Sequence, residues 1–268
     1  MIIIGEKING AIPAIRQAIA EKNEALIIER TLAQANAGAH FLDCAPSTAT
    51  EIEYDTMVWL IGLMQSMTDV PLCIDSPNAR LLARILEEGH VKRPGMVNSV
   101  NEEGDKCETI FPLIAGTDWE VIGLTCDQSG IPADPAKKVE IAKRIIDKAD
   151  KFGVALSKLH IDPCVMALAT MPSAMEDFAH CIRQIHAYAP EVKVTGAISN
   201  ISFEMPARKY VNLNCMAYAM AAGLDSAILD PCNQDMMGTI YACEALLLKD
   251  KGGRKYNRAY RKGLFGKK

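Results

Sequence analysis

Polar residues that could do chemistry recur along the chain at intervals that one strand–helix unit would span. Asp43, Asp75, Asn98, Asp162, Asn200 and Asp230 each close a short apolar run. Glu6 with Asn9 stands in the same relation to Ile2–Ile4, and Thr125 with Asp127 to Val121–Leu124. The set contains no nucleophile–base pair and no Gly-rich phosphate loop. Carboxylates and side-chain amides of this kind suit a flat heterocycle with alternating donors and acceptors. An Asp accepts twice from an amino–imine edge, and an Asn both donates and accepts. Taken singly, Asp43, Asp127 and Asp230 read as caps of the helix after each strand. Taken together, Asp-Ser-Pro at 75–77, Asn-Ser-Val at 98–100 and Ile-Asp-Pro at 161–163 point to a binding site, because capping alone does not require them.

The elements that position these residues follow from hydrophobic period. Eight apolar runs read as strands, most of them buried on both faces: Ile2–Ile4, His40–Leu42, Leu72–Ile74, Met96–Val97, Val121–Leu124, Leu159–Ile161, Val192–Ile198 and Ala227–Leu229. Between them lie amphipathic segments, such as Val139, Ala142, Ile146 and Ala149 at helical spacing, with a last helix from about Gln234 to Lys249. Ser173 to Glu176 reads as a capping box after Pro172, and Gly38, Gly153 and Gly223 read as helix stops. Eight strands alternating with eight helices in 268 residues is the count of an α/β (β/α)8 TIM barrel, ~250 residues being usual. A single barrel domain over 1–248 is expected, followed by a basic tail over 249–268. In such a barrel the strand ends meet at the C-terminal mouth, where active sites form. A doubly wound open sheet is the rival, but no GxGxxG follows the first strand.

Composition is that of a soluble globular protein, 49% hydrophobic and 23% charged, with no apolar run of membrane-spanning length. The nine cysteines are odd in number and lack a CxxC, so they read as buried thiols in a reducing, cytoplasmic compartment. The five histidines form no HExxH, and no metal site is expected. Charge is uneven: the first 248 residues carry a net −12 and the last 20 a net +8. The basic tail brings no nucleic-acid-binding motif, and the acidic body argues against such a partner. Trp59 and Trp119 sit in apolar surroundings and read as core.

The motifs "IIIGEKIN" at 2–9, "CIDSPN" at 73–78, "VNSVN" at 97–101, "IGLTCDQSGIP" at 122–132, "LHIDPCV" at 159–165, "GAISNISFEMPAR" at 196–208 and "AMAAGLDSAILDP" at 219–231 occur in order. This string resembles the pterin-binding methyltransferases that use methyltetrahydrofolate and a corrinoid protein, whose fold is similar to that of dihydropteroate synthase. Within them it looks most like enzymes exchanging a methyl group between tetrahydrofolate and a corrinoid protein, including those of glycine betaine demethylation. The resemblance implies that Asp75, Asn98 and Asp162 hold the pterin, with Glu6, Asn9, Gly196 and Ser202 lining the site. Asn200 would be the catalytic residue, hydrogen-bonding N5 of the folate. Tetrahydrofolate or methyltetrahydrofolate would be the substrate. Cobalamin would arrive on a partner corrinoid protein, and the chain would form a homodimer. Many relatives carry Asp-x-Asn after the second strand where this chain has Asp43-Cys44-Ala45, which weakens a ligand role for Asp43. The tail would be packed on the surface, or dock on a neighbouring subunit or an acidic corrinoid protein. Two other readings stay open: a dihydropteroate synthase-like condensing enzyme, and a folate-binding subunit without turnover.

Overall fold

A computed structural model describes residues 1–266. Eight strands, β1 (Ile2–Gly5), β2 (Phe41–Cys44), β3 (Leu72–Asp75), β4 (Met96–Glu102), β5 (Glu120–Asp127), β6 (Leu159–Asp162), β7 (Lys193–Val194) and β8 (Ser226–Leu229), form one parallel sheet. Each strand from β1 to β6 pairs with the next in sequence, and β1 also pairs with β8. The ring closes between β7 and β8, where Asp225 N–H donates to the Val194 carbonyl (3.0 Å) and Ile228 N–H to the Gly196 carbonyl (3.1 Å). Around it lie α1 (Pro13–Ala20), α2 (Glu24–Asn36), α3 (Thr50–Met67), α4 (Ala79–Glu87), α5 (Lys106–Ile114), α6 (Pro135–Phe152), α7 (Ala174–Tyr188), α8 (Arg208–Ala222) and α9 (Gln234–Leu246). The architecture is a (β/α)8 barrel.

The period of two along each strand sorts its side chains. Leu42, Leu72, Ile74, Val97, Val121, Leu159 and Ile161 point outward into the layer shared with the helices. Burying each such side chain fully stabilises the fold by roughly 1.5–3 kcal/mol. Ile4, Phe41, Cys73, Met96 and Ile122 point inward and pack as a small central cluster. Two residues further along the same faces stand Glu6, Asp43, Asp75, Asn98 and Leu124, all at the cavity. Below the central cluster lies a polar layer. His160 on β6 is fully buried and exchanges hydrogen bonds with Ser226 Oγ on β8 (2.7 Å) and Glu120 Oε2 on β5 (2.5 Å). A contact between non-adjacent β6 and β8 must cross the barrel interior.

Several local expectations give way. The run Val192–Ile198 is strand only at Lys193–Val194, and Ile198–Ser202 coils into a 3-10 turn. The capping box at Ser173 does not form: the residue has helical φ/ψ, and its hydroxyl donates to Asp177 Oδ2 (2.7 Å) instead. Helix capping falls to other residues, with Asn78, Asp134 and Asn233 accepting from the first turns of α4, α6 and α9. Asp127 and Asp230 instead fold their own loops, accepting from Ser129 N–H and Cys232 N–H (2.9 Å each). Gly38, Gly153 and Gly223 do end helices with positive φ. Trp59 and Trp119 pack, partly buried, against the core.

Of the basic tail, Lys267 and Lys268 lie outside the described residues. The rest folds back as α10 (Arg254–Arg261), with Ala259 and Phe265 buried. Phe265 meets the rings of Tyr241, Tyr256 and Tyr260 at 4.8–5.9 Å between centroids. A cavity of about 520 Å³ separates α10 from Ile2, Ile3 and His40, the starts of β1 and β2. The tail therefore packs at the end of the barrel opposite the mouth.

Candidate active site

The C-terminal ends of the strands enclose a cavity of about 700 Å³, within the size range of small-molecule sites. Glu6, Asn9, Asp75, Asn98, Asp162 and Asn200 all line it, so residues from five βα units converge. Asp75 and Asn98 are register partners on β3 and β4, and Asp162 pairs with Leu124. Asn9 is fixed by its loop: its Oδ1 accepts from Ala11 N–H (2.8 Å), and Gly10 N–H donates to the Ala45 carbonyl (2.9 Å). A Cβ on Gly10 would sit 2.0 Å from the Pro46 carbonyl oxygen, so only glycine permits this approach.

Gly196 and Ser202 do not line the cavity; they lie behind its wall. A Cβ on Gly196 would stand 2.8 Å from the Phe178 ring and 3.1 Å from Val165. Ser202 is fully buried, with its hydroxyl donating to the Ser199 carbonyl (3.2 Å) and accepting from Arg208 Nε (2.9 Å). Both residues shape the turn that carries Asn200. The backbone of Asn200 is held on both sides, N–H to the Ala197 carbonyl (3.2 Å) and carbonyl from Phe203 N–H (3.1 Å). Its side chain is exposed to the cavity.

The electrostatics are those of crowded carboxylates. Burial pushes the Asp43 carboxyl well above its usual range, and the charges of Asp75 and Glu6 add to the effect. Asp43 Oδ1 is buried with no hydrogen-bond partner among the described residues, an orphan that a bound molecule would satisfy. Burial, then the charge of Glu53, pushes Asp75 up to about 7. Asp162 is pushed by burial up to about 6, against the pull of Cys164 N–H (2.7 Å) and the Lys138 charge. Glu6 is raised chiefly by burial, with Lys7 and Arg208 opposing. Such a floor can present both protonated and ionised carboxyls at neutral pH, and hence both donors and acceptors.

The sequence did not single out four contributors. Ser76 and Asn101 line the cavity, and Lys106 stands at it with Nζ 2.6 Å from Glu103 Oε2. Glu53 lies behind Asp75 on α3, accepting from Ser76 Oγ. Its signal is helical spacing: Glu53 shares a buried stripe with Met57, Leu60 and Met64. Asp43, discounted for its Cys44-Ala45 context, does line the cavity. His160 does not, being sealed beneath it. No group of residues that could hold a metal ion occurs among the described residues.

Comparison with known proteins agrees with this geometry. The chain is 45% identical over 268 residues to a methylcorrinoid:tetrahydrofolate methyltransferase of Eubacterium limosum, covering 99% of this chain and 98% of that one. It is 30% identical over 242 residues to a methionine synthase of Mycobacterium leprae, spanning 85% of this chain but 20% of that larger protein. Among solved structures, dihydropteroate synthase from Xanthomonas albilineans in complex with 7,8-dihydropteroate superposes with a TM-score of 0.64 at 16% identity, over 92% of each chain. The Yersinia pestis DHPS gives 0.65 at 17%, over 92% of this chain and 94% of that one. At that identity the likeness is one of fold. Residues 15–230, which supply the cavity lining apart from the loop after β1, match the pterin binding enzymes, and the chain belongs to that family.

Proposed function

We propose that the protein transfers a methyl group between a methylcorrinoid and N5 of tetrahydrofolate. The observation that carries this reading is the convergence of Asp75, Asn98, Asp162 and Asn200 on one cavity, in a chain 45% identical to an enzyme named for that reaction. That relative also favours methyl transfer over a condensing activity on a similar pterin site.

The chemistry follows from the groups present. Asp75, Asn98 and Asp162 at the strand ends hold the edge of the pterin and orient it. In the direction the relative's name gives, the N5 lone pair attacks the methyl carbon. The new C–N bond forms as the cobalt–carbon bond breaks, and that electron pair stays on cobalt. N5 becomes cationic and then loses its proton to water at the open mouth of the cavity. Asn200 accepts a hydrogen bond from N5–H as positive charge develops, an interaction stronger in the transition state than before it. In reverse the same amide supports the departing nitrogen. A group of this kind contributes about 2–3 kcal/mol. The buried Asp43 oxygen finds its partner on the bound pterin.

A corrinoid is larger than this cavity can hold beside a pterin, so it approaches from outside the mouth on a carrier protein. An apolar groove formed by Leu168, Met175, Ile201, Tyr210, Val211 and Tyr218 supports a homodimer; light scattering on the purified protein tests it. No helix among the described residues is long and apolar enough to cross a membrane, which fits a cytoplasmic enzyme. The motif resemblance makes glycine betaine our candidate for the upstream methyl source. The decisive experiment mixes the protein with methylcobalamin and tetrahydrofolate, and separately methyltetrahydrofolate with cob(I)alamin, following the cobalamin absorbance. Protein-dependent methyl exchange supports the proposal, and its absence in both directions refutes it.

A further inference from the structure

Arg208 opens α8 and reaches back over the turn that carries Asn200. Its Nε donates to Ser202 Oγ (2.9 Å) and its Nη2 to the Ser199 carbonyl (2.7 Å). One guanidinium thus ties together the residues just before and two after Asn200. Ser202 closes the clamp by donating to the same Ser199 carbonyl (3.2 Å). The fork geometry matters: a planar guanidinium holds two acceptors at a fixed separation, which an ammonium on a flexible stem does not.

Arg208 is poorly suited to its helix. It stands in the first turn of α8, where the helix dipole disfavours a cation, and that turn contains no acidic residue. The residue before it, Ala207, adopts a left-handed conformation (φ 50°) that alanine rarely occupies. Neither feature helps the helix begin. Both deliver the guanidinium to the turn. The Arg208 charge also reaches Glu6 across the cavity wall, opposing the effect of burial on that carboxyl. Arg208 itself is absent from the cavity lining.

We infer that Arg208 is a positioning residue for the methyl transfer, fixing the Ser199–Ser202 turn so that the Asn200 amide, otherwise free of protein partners among the described residues, is aimed at the reacting nitrogen. The inference rests on the reading that Asn200 acts at N5. It deepens that reading, because a side chain that must stay free to follow the developing charge needs its backbone held by something else.

The test is a double-mutant cycle on the full chain, with kcat measured with methylcobalamin and tetrahydrofolate, and tetrahydrofolate Kd by fluorescence. Arg208→Ala is expected to lower kcat ten-fold or more with Kd changed less than three-fold, and Arg208→Lys is expected to recover only part of the loss. In an Asn200→Ala background, Arg208→Ala is expected to cost no more than a further two-fold, because the two act through one group. Ser202→Ala, which removes one leg of the clamp, should show a smaller loss in the same direction and serves if Arg208→Ala does not fold. Fully multiplicative losses, or a loss carried in Kd, would overturn the positioning role while leaving Asn200 in place. A normal kcat in Asn200→Ala alone would instead overturn the reading on which the inference stands.

Discussion

Glu53 accepts a 2.6 Å hydrogen bond from Ser76 Oγ, which places a buried carboxylate directly behind Asp75. That arrangement holds two acids of the same sign close together in a site from which water is largely excluded. After burial itself, the charge of Glu53 is what lifts Asp75 up to about 7. A pterin edge that donates hydrogen bonds favours the ionised Asp75, so binding competes with its proton. Tetrahydrofolate affinity should accordingly tighten as pH rises from about 5 through 7 and level off above. Glu53→Gln removes the repulsion, lowers the Asp75 midpoint and moves that rise to lower pH. Titrating Kd between pH 5 and 8 in both proteins checks it; a curve that does not move on substitution would rule out the coupling.

Asn200→Ala separates orientation from bond chemistry. On the proposed reading, Asp75, Asn98 and Asp162 still hold the pterin in this variant. Loss of one preorganised hydrogen-bonding group should lower kcat roughly 30- to 150-fold, the equivalent of about 2–3 kcal/mol. Tetrahydrofolate Kd should change by less than about three-fold. Equal losses in kcat and in binding would make Asn200 a binding residue instead.

The raised carboxyls also predict how stability depends on pH. Folding lifts Asp75 from 3.8 to about 7 and Asp162 from 3.8 to about 6. Between those limits the unfolded chain has released protons that the folded chain still holds. The stabilisation these protons confer is complete below about pH 4 and is lost progressively up to about pH 7. Asp75→Asn and Asp162→Asn remove the penalty of holding these acids at neutral pH. Each should raise the Tm of the ligand-free protein at pH 8 by several degrees, at ~2–4 °C per kcal/mol for a chain of this size, and much less at pH 5. Thermal melts at the two pH values decide it, and an equal shift at both would contradict the linkage.

The barrel and most of its mouth were legible because two simple periods carry them. Inward alternation placed Asp75, Asn98 and Asp162 two residues beyond Cys73, Met96 and His160, and βα spacing brought them to the same end. What escaped depended on contacts that spacing does not encode. Glu53 sits on a different element from Asp75, and only a charge on an otherwise apolar helical stripe marks it. Arg208 is a surface residue in sequence terms, and its two acceptors lie in a 3-10 turn just past the expected strand, a turn whose shape no spacing encodes. The capping box at Ser173 failed because Asp177, one helical turn on, captured the hydroxyl that the cap required. The tail's basic character said nothing of Phe265, whose burial fixes where the segment goes.

Phe265 supplies the last prediction. It is 6% exposed, ringed by Tyr241, Tyr256 and Tyr260, and lies 3.4 Å from where a Cβ on Gly238 would be. It therefore pins α10 across α9 at the strand starts, a full barrel length from Asn200. Removing a buried phenylalanine costs about 3–5 kcal/mol when its surroundings cannot collapse. Phe265→Ala should thus lower Tm by several degrees or more while leaving kcat and tetrahydrofolate Kd within two-fold at 25 °C. If the tail served the corrinoid carrier instead, the carrier's KM would rise in this variant and in one ending at Leu248, with folate kinetics unchanged. A stable Phe265→Ala protein with an unaltered melt would show that the segment does not pack as the structure has it.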